Sequence, residues 1–196
     1  MNNIELFLLD IGFSFTAARW FPHILMVLFG TGLFFLVIKA SNLRKWLKWT
    51  LAILLLVQSE LFYFWLFPLA KGDISDSGVS VKTALKFPEA RKLYIIADPG
   101  CKHCINSTRD MREFVEYTQT PIEYMLITSD TSEMYFFQNL VGDKITCSLS
   151  PNLVESIKLT EGFFPTYVLV ENGKVVKRWK NDIFGTRAMD LIDRQE

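Results

Sequence analysis

Two stretches of the chain are apolar around the whole circumference of a helix. Trp20 to Ile38 reads WFPHILMVLFGTGLFFLVI, where only His23 can carry charge, and Trp49 to Ala70 reads WTLAILLLVQSELFYFWLFPLA, where only Glu60 can. At ~1.5 Å per helical residue, runs of this length approach or span a ~30 Å hydrocarbon slab. Trp20, Trp46, Trp49 and Trp65 fall near the ends, where an indole keeps its ring among headgroups and its N–H wet. The pattern predicts a two-helix transmembrane hairpin over residues 20–70. Ahead of it, residues 4–18 are apolar but include Glu5 and Asp10, without a basic start followed by a small-residue cleavage site. Residues 1–19 are therefore expected as an interfacial segment, not a removed leader.

From Lys71 the pattern changes. Residues 71–88 (KGDISDSGVSVKTALKFP) carry the Gly, Ser and Asp punctuation of a linker. Over residues 89–196 short apolar runs then alternate with helical periodicity. Strands are expected at Leu93–Ala97, Ile122–Thr128, Thr166–Val170 and Lys174–Trp179, and helices at Lys102–Tyr117, Ser132–Leu140, Asn152–Leu159 and from a Thr186 cap to about Arg194. The first two strands, joined by a crossover helix, make a parallel βαβ unit; Asn172-Gly173 predicts a tight hairpin between the last two. The expected fold is an α/β domain of order β-α-β-α-α-β-β-α attached to an N-terminal helical hairpin.

Charge gives the hairpin a direction. The connection between the two apolar runs holds Lys39, Arg44, Lys45 and Lys48 and no acid. Positive loops stay in the cytoplasm, so both termini and the α/β domain are expected on the periplasmic side of a bacterial inner membrane. Residues 1–70 contain 46 apolar and 8 charged residues, whereas the remainder has an ordinary soluble composition. With 21 basic and 21 acidic residues overall there is no cationic surface of the kind that releases counterions from nucleic acid. Glu60 sits near the expected bilayer midplane, where an ionised carboxylate is costly. Two readings stand: a neutral carboxyl bonded to Ser59, Gln58 or Thr31 within the hairpin, or a polar contact or proton relay to a membrane-protein partner.

The chemistry concentrates between the first strand and its helix, in Asp98-Pro99-Gly100-Cys101-Lys102-His103-Cys104. A helix start offers unpaired N–H groups and partial positive charge, which favours a thiolate at Cys101. Cys104, one turn on and facing the same way, is placed to attack a mixed disulfide formed at Cys101. Lys102 and His103 add positive or polarisable groups that tune the thiolate. A structural disulfide or half of a zinc site are the bland readings. Zinc needs four ligands, and beyond the pair only Cys147 and His103 lie on this side of the hairpin, so no metal is expected. The only cofactor expected is the redox-active disulfide itself. Cys147 is placed in a loop between helices, either as a third redox thiol or as a small buried residue. Tyr135, Phe136 and Phe137 are read as core.

These residues resemble a family. The Cys101–Cys104 motif after a strand, the crossover helix, Gly162-Phe163-Phe164-Pro165-Thr166 leading into a strand, and the Asn172-Gly173 hairpin are similar to the thioredoxin fold, of the membrane-tethered extracytoplasmic thiol–disulfide oxidoreductase type, over residues 90–196. The resemblance implies a cis Pro165 lying against the cysteines, with Phe164, Pro165 and Thr166 positioning substrate backbone. It also implies protein thiol or disulfide substrates and a separate redox donor or acceptor protein. The chain departs from the pattern at Gly100, where an aromatic residue is usual, at Ile95, where thioredoxin has a buried acid, and at Phe164, bulkier than the norm and expected to narrow the groove or offer an apolar docking surface. His103 is similar to the strongly oxidising members, while the tether and compact domain resemble the reductants; the reading adopted is a reductase. The competing reading is a non-catalytic assembly subunit of a membrane complex.

Overall fold

The computed structural model describes residues 3–40 and 44–194 and divides into two compact units, one ending at Ala70 and the other beginning at Lys71. The first unit is helical: α1 (Asn3–Asp10), α2 (Phe15–Ala40) and α3 (Lys45–Leu66). The expected segment 1–19 is therefore not one element. The chain turns after Asp10, and Ser14 starts α2 by accepting the Ala17 amide on its hydroxyl at 3.2 Å. The second long helix stops at Leu66, short of the expected Ala70. Phe67 precedes Pro68, whose ring disfavours helical backbone in the residue before it, and Phe67 leaves the helix at φ −133°, ψ 71°.

Within this unit α2 and α3 pack antiparallel: His23 meets Tyr63 at a ring separation of 4.7 Å near one end, and Phe34 meets Trp49 at 5.8 Å near the other. His23 is buried in this contact. Both helices are long and apolar enough to cross a membrane. Glu5, on the segment expected to lie at an interface, is buried. Arg19 donates to it at 2.5 Å and to the Pro68 carbonyl at 2.7 Å, tying α1, α2 and the end of α3 together. Glu60 belongs to α3 by its backbone; the contacts of its side chain lie outside the described residues, as do those of Ser59.

The second unit runs α4 (Lys71–Ile74), β1 (Lys92–Ala97), α5 (Lys102–Phe114), β2 (Ile122–Leu126), α6 (Thr131–Val141), β3 (Thr146–Leu149), α7 (Leu153–Thr160), β4 (Thr166–Glu171), β5 (Lys174–Lys180), a single 3-10 turn and α8 (Thr186–Asp193). The sheet order is β3-β2-β1-β4-β5. The strands β1, β2 and β3 are parallel, while β4 runs antiparallel to β1 and pairs with β5 through a hairpin. Asn172 and Gly173, at φ 51° and 71°, make the expected turn. This is a thioredoxin-like arrangement on a mixed sheet. β3 corrects the expected order to β-α-β-α-β-α-β-β-α. Its four residues, TCSL, alternate polar and apolar, but so short a run is fixed as a strand only by pairing with β2 at the sheet edge.

The expected linker is also corrected. Residues 71–88 form a strap on the domain. Asp73 accepts the Thr186 amide at 3.1 Å, Asp76 accepts the Trp179 indole N–H at 2.7 Å and pairs with Lys177, and Val79 exchanges two backbone hydrogen bonds with Arg178. Leu85 is buried with Tyr94, Ile96, Val168 and Val170, and Phe87 packs beside them. The Ser, Asp and Gly letters that read as linker are capping and close-approach residues against a surface the sequence does not display.

Candidate active site

The carboxyl end of β1 delivers the two cysteines. Asp98 folds the turn by accepting the Gly100 amide on its side chain at 2.8 Å and the Cys101 amide on its carbonyl at 3.0 Å. Cys101 thereby becomes the N-cap of α5, in extended backbone geometry, and its Sγ accepts the Cys104 amide at 3.4 Å. On its other side the Cys101 thiol donates to the Phe164 carbonyl at 3.7 Å, across the cis Phe164–Pro165 peptide. The loop before β4 thus comes against the first turn of α5, as the resemblance implied.

The two thiols differ in environment. Cys101 is half-buried, whereas Cys104 has no exposed surface. Burial, reinforced by the hydrogen bond with Cys101, holds the Cys104 thiol well above its ordinary range. Lys102 and His103 are exposed, and among the described residues neither hydrogen-bonds to a thiol. Pro165 and Thr166 are buried, and the Thr166 hydroxyl donates to the Phe163 carbonyl at 2.6 Å, bracing the loop. Asp98 is a turn-former, and Ile95 is fully buried in the middle of β1.

Three placements differ from the sequence reading. Phe164 turns inward against the cluster of Leu85, Tyr94 and Val168, so it is not the docking surface; Phe163 is the exposed ring, with the Lys180 ammonium 3.9 Å over its face. Neighbouring residues of an extended segment point opposite ways, and only packing decides which faces in. In α6, Phe137 is core while Tyr135 and Phe136 are exposed. Cys147 lies on β3, opposite Tyr124, with its amide bonded to Gln138 at 2.9 Å. Burial pushes its thiol up to about 12, with Glu123 adding to the effect. β2 and β1 separate it from the pair by two ladder spacings, ~10 Å in all, which does not bring its sulfur to Cys101. Tyr124, Tyr167 and Ser107 lie beneath the pair and were not singled out from sequence, because strand residues with hydroxyls look like any amphipathic core residue until the register is known.

No family model and no curated protein matches the chain. Among solved structures it is similar to a protein from Chlorobium tepidum provisionally assigned as thiol:disulfide interchange protein DsbE, at 16% identity and a TM-score of 0.43, over 59% of this chain and 96% of that one. It is also similar to the thioredoxin domain of a thiol-disulfide oxidoreductase from Bacteroides vulgatus, at 12% identity and a TM-score of 0.45, over 59% and 99%. A thioredoxin-like protein from Bacteroides caccae matches at 12% identity and a TM-score of 0.40, over 78% and 56%.

Proposed function

We propose that this chain is a membrane-anchored thiol–disulfide oxidoreductase that acts on extracytoplasmic protein thiols through Cys101 and Cys104, in the reducing direction. The observation that carries this is the placement of Cys101: half-exposed, at a helix start, with an amide aimed at its sulfur and the Phe164–Pro165 loop against it. In the forward reaction the Cys101 thiolate attacks a substrate disulfide and expels one substrate thiolate. Cys104 then gives up its proton and attacks the Cys101 sulfur, the second substrate thiolate leaves, and the protein disulfide is left oxidised. Lys102 and His103 act on the thiolate only through their charge or polarity from the surface.

The reducing direction is supported by how few hydrogen-bond donors surround the Cys101 sulfur. Strong oxidants owe their potential to a heavily stabilised thiolate. Here, among the described residues, one amide donates to Cys101 and the thiol itself donates to a carbonyl. The apolar helices α2 and α3 carry no cysteine, so electrons must come from a separate redox protein. We place α2 and α3 across the inner membrane with Lys39, Arg44, Lys45 and Lys48 inside and the α/β domain in the periplasm.

The test uses the full chain in detergent. Wild type is expected to reduce a model disulfide, Cys101→Ser to be inert, and Cys104→Ser to stop at a mixed disulfide. Equal activity in Cys101→Ser would dismiss the catalytic reading, and a stoichiometric membrane partner without turnover would establish the assembly-subunit reading in its place. Labelling of Cys101 in intact cells by an impermeant maleimide tests the orientation; protection until lysis would reverse it.

A further inference from the structure

Cys104 has no exposed surface, so its sulfur must change charge inside the protein each time it enters or leaves a disulfide. A buried anion without hydrogen-bond donors is costly. What surrounds this sulfur is set by the sheet. Ile95 in β1 stands opposite Tyr124 in β2 and Tyr167 in β4. Residues opposite one another across a sheet share a face, so the two buried phenols flank Ile95 on the side covered by α5.

Ser107, three residues along α5 from Cys104, joins them. Its hydroxyl donates to the Cys104 carbonyl at 2.7 Å and lies 2.9 Å from the Tyr124 hydroxyl. A serine has one hydroxyl proton, and this one is used on the carbonyl, so Tyr124 is the donor to Ser107. Tyr167 is buried on the same face, on the other side of Ile95 from Tyr124, so both phenols lie under the turn of α5 that carries Cys104 and Ser107.

Resting on the exchange function proposed for Cys101 and Cys104, we infer that Tyr124, Tyr167 and Ser107 form a hydroxyl cradle that supports the Cys104 sulfur while it resolves the mixed disulfide. At rest the Tyr124 phenol proton points at Ser107. As the Cys104 sulfur attacks Cys101, its proton passes to the substrate thiolate that is expelled, and a phenol proton turns from Ser107 to the negative charge that develops on the Cys104 sulfur. The three hydroxyls are positioning groups: none is consumed, and none accepts a net proton.

The experiment is a rapid-mixing reaction of the reduced full chain in detergent with an aromatic disulfide that releases one coloured thiolate at each exchange. Attack by Cys101 releases the first equivalent and resolution by Cys104 the second, so the two steps read as separate phases. In the Tyr124→Phe, Tyr167→Phe double variant the first phase is expected to keep its rate. The second slows about tenfold, the effect of losing one hydrogen bond to a charged group. Ser107→Ala removes the resting acceptor of the phenol proton and no donor to the sulfur, so its second phase is not slowed; slowing there equal to that of the double variant overturns the inference. An unchanged second phase in the double variant overturns the inference, and so does equal slowing of both phases, which means general distortion. Should Ser107→Ala not fold, the two phenol substitutions alone decide. Failure of the exchange function is distinct: wild type would then show no phase that Cys101→Ser removes.

Discussion

The strap over residues 71–88 makes a sharp prediction at Asp76, which accepts the Trp179 indole N–H at 2.7 Å and the Gly78 amide at 3.1 Å and pairs with Lys177. Trp179 is fully buried, so Asp76→Ala leaves its N–H without its acceptor, at a cost of about 2–3 kcal/mol. The ion pair is only partly shielded from solvent and contributes about 0.5 kcal/mol. Together these are about 3 kcal/mol, a large share of a domain stability that is typically ~5–15 kcal/mol. With a urea dependence of about 1.5 kcal/mol per molar, the unfolding midpoint should fall by about 2 M. Residues 71–196 contain a single tryptophan, Trp179, so its fluorescence reports the transition directly. Lys177→Met is the control and should move the midpoint by no more than about 0.3 M. If Asp76→Ala shifts it no further than Lys177→Met does, the strap is not held through the indole and the reasoning fails. The effect also has a pH signature. Burial works to raise the Asp76 carboxyl, but hydrogen bonds from Lys177, Trp179 and Gly78 outweigh it and hold the group below its ordinary value. A carboxyl depressed on folding adds stability above its unfolded pKa and loses it as pH falls through the folded value. The wild-type advantage over Asp76→Ala should therefore be constant from about pH 5 to 8 and shrink below about pH 4.

Gly72→Ala should loosen the same strap by a different route: a Cβ there would stand 2.5 Å from the Gly185 nitrogen and 2.6 Å from the Ile183 carbonyl, backbone atoms that cannot step aside. We expect about 2 kcal/mol of destabilisation in urea unfolding of residues 71–196, and an unchanged midpoint would refute the contact. Glu161 is held at about 2 by Lys180 and then Arg178, so its carboxyl carbon should titrate by NMR near that value, and Lys180→Met should bring it up toward ~4.3; a midpoint already near 4 in the wild type would exclude the pairing. Cys147, its thiol pushed up to about 12, should resist iodoacetamide at neutral pH while Cys101 reacts, and Cys147→Ala should keep disulfide exchange; mass spectrometry showing Cys147 modified first would reverse this assignment. Glu5→Ala removes one partner of Arg19 and should release α1 from α2, seen as faster proteolysis before Ser14 with a cost of about 3 kcal/mol; equal cleavage rates would show the pair to be dispensable.

Much of this molecule could be read from its letters, and the readable parts share a cause. The two apolar helices, the βαβ start, the Asn172-Gly173 hairpin and the placement of Cys101 at a helix start all follow from interactions within a few residues: periodicity, turn chemistry and the unpaired amides of one helix end. What only the folded chain decided depends on partners far along the sequence. β3 exists because β2 offers it a ladder. Residues 71–88 are a strap because Trp179, Arg178 and Thr186 stand ready to meet their polar groups. Phe163 rather than Phe164 faces solvent because Phe164 packs against Leu85, Tyr94 and Val168, partners that the sequence does not bring together. Tyr124 and Tyr167 come beneath Cys104 through a strand register that no local pattern specifies, and that juxtaposition belongs to the tertiary structure alone.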